Sequence, residues 1–241
     1  ERIFTRDASF WKALWNTVFY VMLAVPLGLS GSLLLAVLLN QKIRGIPYFR
    51  AAFYLPTLVP SMAASVLWLY LFNKSFGLIN QMLGLLGIEP IGWLNTPEMA
   101  KPSLIIMSLW GIGGARMLIF LAGLQQVDQQ YYEAADIDGA GRWSKFRHIT
   151  LPLLTPTILF NLVLGIIGAF GVFTAAYVMT NGGPEDATLF YVLYLFRKGF
   201  EELRMGYASA LAWIMFAILF VLTLIQFRSS KKWVYYEGGE E

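Results

Sequence analysis

Long uncharged stretches recur along this chain, separated by shorter segments that collect nearly all the charges. Ala13–Leu39 carries no charged side chain over a length that can cross roughly 30 Å of hydrocarbon with tilt. Ala51–Phe72 repeats the pattern, and Pro56 and Pro60 are expected to kink it. Pro102–Leu124 is a third such run with a single charge, Arg116; Leu153–Met179, within Thr150–Glu185, is a fourth, and Met205–Phe227 a fifth. In lipid every backbone N–H and C=O needs an internal partner, so runs of this length are expected as helices. The pattern predicts an all-α polytopic membrane protein, a single domain over residues 1–241 with five spans in this chain. Between the second and third runs, Phe76–Leu86 is amphipathic, bounded by Gly and Pro, and expected to lie on the membrane surface. Gly165, Gly168 and Gly171 in the fourth run are expected to permit close helix packing.

The charges orient these runs. Lys42, Arg44 and Arg50 follow the first with no acid among them, and Arg228, Lys231 and Lys232 follow the last. The positive-inside rule places both segments in the cytoplasm, which puts Glu1 outside and residues 126–150 inside. Trp11, Trp15, Trp68, Tyr70, Trp233, Tyr235 and Tyr236 sit near run ends, where amphipathic rings anchor helices at headgroup depth. Composition agrees: 57% of residues are hydrophobic and 14% charged, against about a quarter charged in a soluble domain. A net charge of +3 does not imply a nucleic-acid partner, and the absence of cysteine excludes disulfides and thiolate metal sites.

The segment Gln125–Pro152 reads QQVDQQYYEAADIDGAGRWSKFRHITLP. Asp128 can cap a helix running through Tyr131, Tyr132 and Glu133. Ala134 and Ala135 leave a low-profile surface that a partner can approach closely, Gly139 and Gly141 allow a sharp turn, and Trp143–His148 forms a second short helix. Pro152 suits the first turn of the next membrane helix. Small residues beside acids and aromatics distinguish this segment from an ordinary connecting loop. The single histidine, His148, lies in it, with nothing around it to suggest a metal or catalytic role.

Glu133-Ala134-Ala135, then Asp138-Gly139-Ala140, then Ile149, Leu151 and Pro152 resemble the EAA loop of ABC-importer permeases, with the family's spacing of glycine to isoleucine to Leu-Pro. Asn16-Thr17, Ala36–Asn40, Leu118–Gln125, Tyr177–Pro184 and Met205–Ala210 resemble the carbohydrate-importer branch, closest to the MalF-like permease. The resemblance covers essentially the whole chain and implies a type I ABC-importer transmembrane domain. Members of that branch usually carry one more N-terminal span, which is expected to be missing here.

What the resemblance implies is a transport subunit rather than an enzyme, in the inner membrane. It would pair with a homologous second permease, two ATP-binding cassette ATPase subunits and an extracytoplasmic solute-binding protein. Glu133, Ala134, Ala135, Asp138, Gly139, Ala140, Ile149, Leu151 and Pro152 would couple it to an ATPase subunit. No cofactor is expected on this chain; ATP and Mg belong to the partners, since the sequence holds no Gly-x-x-x-x-Gly-Lys-Ser/Thr loop. The cargo implied is a sugar or oligosaccharide, with a sugar phosphate or polyol as the alternative.

Polar groups inside spans are costly and mark solute paths. Arg116 lies about eight residues from the cytoplasmic end of its run, roughly 12 Å deep at 1.5 Å per residue. The sugar family commonly has a neutral residue there, so Arg116 suggests an acidic, uronate-type solute, weighed against snorkelling to the cytoplasmic face. Asn161, Phe170, Phe173, Thr174 and Tyr177 in the fourth run suit sugar hydroxyls and ring faces, weighed against ordinary packing. A proton-coupled secondary transporter would need an intramembrane carboxylate, and an intramembrane enzyme a catalytic cluster; the five runs hold neither.

Overall fold

The computed structural model describes residues 2–41 and 43–236, so Lys42, one of the orienting cations, lies outside the described residues. Among these the chain is all-helical, with no strand. Helix α1 (Arg2–Arg6) precedes α2 (Ala8–Leu39), and α3 (Ile46–Tyr54) leads through a 3₁₀ turn (Leu55–Leu58) into α4 (Ser61–Leu71). Then come α5 (Leu78–Leu85), α6 (Pro97–Leu109), α7 (Ala115–Gln126) and α8 (Gln129–Ile137). Helix α9 (Arg142–Lys145) continues through a π turn (Phe146–Thr150) into α10 (Leu151–Leu153), followed by α11 (Thr155–Phe170) and α12 (Thr174–Met179). Helix α13 (Tyr191–Phe196), a second π turn (Arg197–Glu201) and α14 (Met205–Ser230) complete the fold.

Continuous long helices account for only part of the five expected spans. Among the described residues three helical stretches are long and apolar enough to cross a membrane: Ala8–Leu39, Thr155–Met179 and Met205–Ser230. The second expected span is a pair of helices, Ile46–Leu58 and Ser61–Leu71, bent by 93°. The bend falls where Pro60, without an N–H, begins the second helix of the pair in an extended conformation. Counting that pair gives four. The third expected span, Pro102–Leu124, is two helices, because α6 ends before a Trp110–Gly114 segment containing three glycines, Gly111, Gly113 and Gly114. Two of these meet close neighbours: a Cβ at Gly113 would strike the carbonyl of Phe53, and one at Gly114 would lie 2.5 Å from Cγ2 of Thr57. Ser32 Oγ donates to the Ile112 carbonyl at 2.7 Å, satisfying an acceptor that the interrupted helix leaves free.

The contacts divide the chain into two compact units. One comprises Glu1–Pro26, Leu58–Trp110 and Ile166–Ile218; the other comprises Leu27–Thr57, Gly111–Gly165 and Leu219–Glu241. The first is built on a buried apolar core that includes Phe10, Phe72, Leu104, Phe190, Tyr191 and Leu211. A buried polar clamp runs beside it. Asn16 Nδ2 donates to the carbonyls of Asp186 and Leu189 (2.8 and 3.2 Å), and Lys101 Nζ donates to Asn16 Oδ1 at 3.0 Å. Thr17 Oγ1 donates to the Ala13 carbonyl and accepts the backbone N–H of Tyr191, both at 2.8 Å. Two residues at the opening of the first run thus hold the 186–191 segment, which explains a polar pair in an otherwise apolar helix.

The second unit packs Leu35, Ala36, Leu39, Met117, Phe120, Leu124 and Leu154 into its own core. Here α7 and α11 approach closely at Gly123, where a Cβ would stand 2.7 Å from Thr157 Oγ1 and 3.0 Å from Leu154 Cδ2. The glycines expected to serve this purpose do not all do so. Gly168 faces open space and Gly171 meets only carbonyls of its own preceding turn; Gly28, Gly31 and Gly123 make the close approaches.

Candidate functional site

The 126–150 segment is shaped by its caps. Asp128 caps α8 by accepting the Gln130 N–H at 2.9 Å. At the other end Gly139, with φ +76°, donates its N–H to the Asp136 carbonyl at 3.1 Å, and Ala140 donates to Ala135 at 2.9 Å. These two bonds form a Schellman motif, whose left-handed position favours glycine. The Asp138-Gly139-Ala140 part of the motif is therefore a helix terminator. The chain resumes helically at Arg142, one residue before the expected Trp143 start, and then widens into the π turn. In that turn Leu151 N–H reaches the Phe146 carbonyl, and Pro152 has no N–H with which to extend the ladder.

Tertiary bonds fix this hairpin of helices. Tyr132 Oη and the buried Thr150 Oγ1 lie 2.8 Å apart, and Lys145 Nζ pairs with Asp136 at 2.5 Å. Ile149, Pro152 and Leu153 line a cavity of about 230 Å³ with Tyr131, His148 and Tyr235. The backbone N–H of Tyr235 donates to Thr155 Oγ1 at 2.8 Å, so the segment after α14 packs against the start of α11.

The exposed face carries the distinctive chemistry. Glu133 and Ala134 are exposed; among the described residues Glu133 accepts only from its helical neighbour Gln129, at 3.0 Å. One turn on, Ile137 is 87% exposed, and Trp143 is 71% exposed. Large apolar side chains are thus presented beside an acid and two alanines. The exposure of Ile137 and Trp143 was not anticipated from the sequence. The signal was available, because Ile137 stands four residues from Glu133 and three from Ala134 and so shares their helical face.

The residues singled out along the solute path divide between the two units. In the second, Arg116 is half-buried in the first turn of α7, where the helix dipole disfavours a cation by about 0.3–1 kcal/mol. Among the described residues its guanidinium has no hydrogen-bond or ion-pair partner. It lies against α2, where a Cβ on Gly28 would be 2.5 Å from Nη1. Asn161 in the same unit is 2% exposed and donates to the Thr157 carbonyl of its own helix at 3.0 Å. In the first unit Phe170 is buried, and Thr174 opens α12 half-buried. Phe173 and Tyr177 stack with centroids 5.3 Å apart, and Phe196 packs on both at 5.1 and 5.6 Å. Phe196 was not anticipated from the sequence, where it lies outside every long apolar run.

No group of three or more His, Asp or Glu side chains is placed to hold a metal among the described residues. Residues 8–234 match the family described as the binding-protein-dependent transport system inner membrane component. A probable ABC transporter permease, YesP of Bacillus subtilis, is 45% identical over all of this chain and 79% of its own length. The sulfoquinovosyl glycerol transport permease SmoG of Agrobacterium fabrum is 36% identical over 92% of this chain and 72% of its own. Among solved structures, a bacterial ABC transporter involved in import of the acidic polysaccharide alginate superposes with a TM-score of 0.86 and 25% identity, covering 94% of this chain and 80% of that one. With the capped helix pair at 126–150 and its apolar helices, the chain belongs to the family of binding-protein-dependent transport system inner membrane components, as a carbohydrate ABC-importer permease.

Proposed function

We propose that this chain is one permease of an ATP-driven importer of acidic, uronate-type oligosaccharides. The observation that carries the cargo reading is Arg116, a half-buried guanidinium without an acid or carbonyl partner in a helix that spends dipole energy to hold it. A carboxylate on the solute would supply the missing charge. The involvement of a structurally similar transporter in import of the acidic polysaccharide alginate favours the same chemistry.

In this reading residues 1–241 act as one permease domain beside a second, homologous permease, and the 126–150 loop faces the cytoplasm with the chain's C-terminus. Two ATPase subunits hydrolyse ATP with Mg, and a binding protein delivers solute from the other side, as in a related alginate importer in complex with its periplasmic protein. Glu133 would be the polar contact to one ATPase subunit; Ala134 and Ala135 would allow close approach, and Ile137 and Trp143 would supply buried area. Asp138, Gly139 and Ala140 terminate the contact helix, while Ile149, Leu151 and Pro152 root it to the membrane helix.

Uptake by the reconstituted complex tests both halves. Arg116→Asn should depress transport of acidic oligosaccharides about tenfold more than of neutral ones, the order expected for one charge pair of about 1.4 kcal/mol. Equal effects on the two cargos would refute charge selection. Glu133→Ala should lower solute moved per ATP hydrolysed; unaltered coupling would remove the role assigned to the loop.

A further inference from the structure

We propose that Gly28 and Arg116 together form an anion subsite, in which the missing side chain at position 28 lets the guanidinium lie against α2 and present its donors to a carboxylate. The inference rests on the cargo reading above and deepens it by adding a positioning residue from another helix. Position 28 is buried, and a Cβ there would stand 2.5 Å from Arg116 Nη1 and 3.8 Å from Cζ, with no other atom within 4 Å. The space a side chain would occupy is therefore filled by the guanidinium itself. One turn along α2, a Cβ on Gly31 would stand 3.3 Å from Ile112 Cγ2, and Ser32 Oγ donates to the Ile112 carbonyl at 2.7 Å. These contacts fix the interrupted Trp110–Gly114 segment against α2 immediately before the turn that carries Arg116. In a continuous helix through 102–124 the Ile112 carbonyl would accept the Arg116 N–H and would not be left free for Ser32. The break, the glycine opposite and the unpaired cation thus belong to one arrangement.

An aliphatic residue at 28 would push the guanidinium aside rather than clash with backbone, because the obstructing atom ends a flexible side chain. Gly28 is accordingly a positioning residue acting through Arg116, and its loss should alter charge selection while the fold persists.

The chain contains no cysteine, which permits a test independent of the cargo's identity. In the reconstituted complex, Leu27→Cys, at the exposed neighbouring position, is labelled with an anionic and a cationic methanethiosulfonate while Gly28 stays in place, and modification is read by mass on this chain. The ratio of anionic to cationic rates should fall about tenfold when Arg116→Asn is added, since a nearby guanidinium attracts one reagent and repels the other. Adding Gly28→Ala instead should lower the ratio as well, because its Cβ displaces the guanidinium. A ratio unchanged by either substitution, or no labelling by either reagent, overturns the subsite. If the ratio falls but Arg116→Asn slows acidic and neutral oligosaccharides alike, the subsite stands and the acidic-cargo reading fails.

Discussion

Replacing Gly139 with alanine isolates the energetic role of one backbone position in the 126–150 loop. Nothing lies within 4 Å of a Cβ built there, so the substitution introduces no clash. The whole cost is conformational, since φ is +76° and an L residue in the left-handed region loses about 1 kcal/mol. That energy is drawn from the Schellman cap, in which Gly139 N–H bonds Asp136 and Ala140 N–H bonds Ala135. A 1 kcal/mol loss shifts the open–closed equilibrium of the cap by about fivefold. Hydrogen exchange on the assembled complex should show the amides of residues 139 and 140 exchanging about fivefold faster, with residues 129–133 unaltered because Asp128 still caps the other end. Gly139→Asn, which tolerates the left-handed region, should recover most of the protection. If alanine and asparagine accelerate exchange equally, or if neither does, the cap does not depend on φ at this residue and the reasoning fails.

Three further outcomes are expected. Thr17→Val should lower stability by about 1–3 kcal/mol in thermal unfolding of the solubilised complex, because the Tyr191 N–H loses its buried acceptor; Thr17→Ser should restore it. Gly123→Ala should cost about 1–3 kcal/mol through overpacking against Thr157 and Leu154, with partial recovery on adding Thr157→Ala, measured in the same melts. Asp7 predicts a pH dependence. Burial acts to raise its pKa, but hydrogen bonds from the Tyr194 and Tyr207 hydroxyls and the Phe10 N–H outweigh this and hold it below the ordinary carboxylate value. A folded pKa below the unfolded one contributes stability at higher pH that is lost as pH falls through the folded value. The melting temperature should therefore drop on acidification below the usual carboxylate range, and Asp7→Asn should flatten that part of the profile.

Much of the architecture is legible in the chain because lipid imposes a simple code. Uncharged runs mark helices, and three of the expected five appear as long apolar helices. The other two runs are interrupted for local backbone reasons. At Pro60 the warning was visible as a proline, and the 93° bend exceeds the kink expected from it. At Trp110–Gly114 the run is as apolar as its neighbours, so hydropathy alone passes over it; the three glycines are the signal, and their meaning depends on Phe53, Thr57 and Ser32 far away in sequence. The α8 caps were partly readable, since Asp128 is a known kind of helix starter, whereas the reciprocal bonds of Gly139 and Ala140 require the turn's geometry.

The same distinction governs the two kinds of site. A surface face built on one helix can be anticipated from spacing, because residues at positions i, i+3 and i+4 must share a face; Glu133, Ala134 and Ile137 obey this rule whatever the rest of the chain does. A subsite inside the membrane has no such local register. Arg116 announces itself by its charge, but Gly28 is separated from it by 88 positions and carries no side chain from which a pattern could be drawn. Its contribution is the absence of an atom, and absence acquires meaning only when another helix brings a guanidinium into that space. A charge in an apolar run thus identifies where chemistry is placed, while the small residues that shape its surroundings emerge from packing.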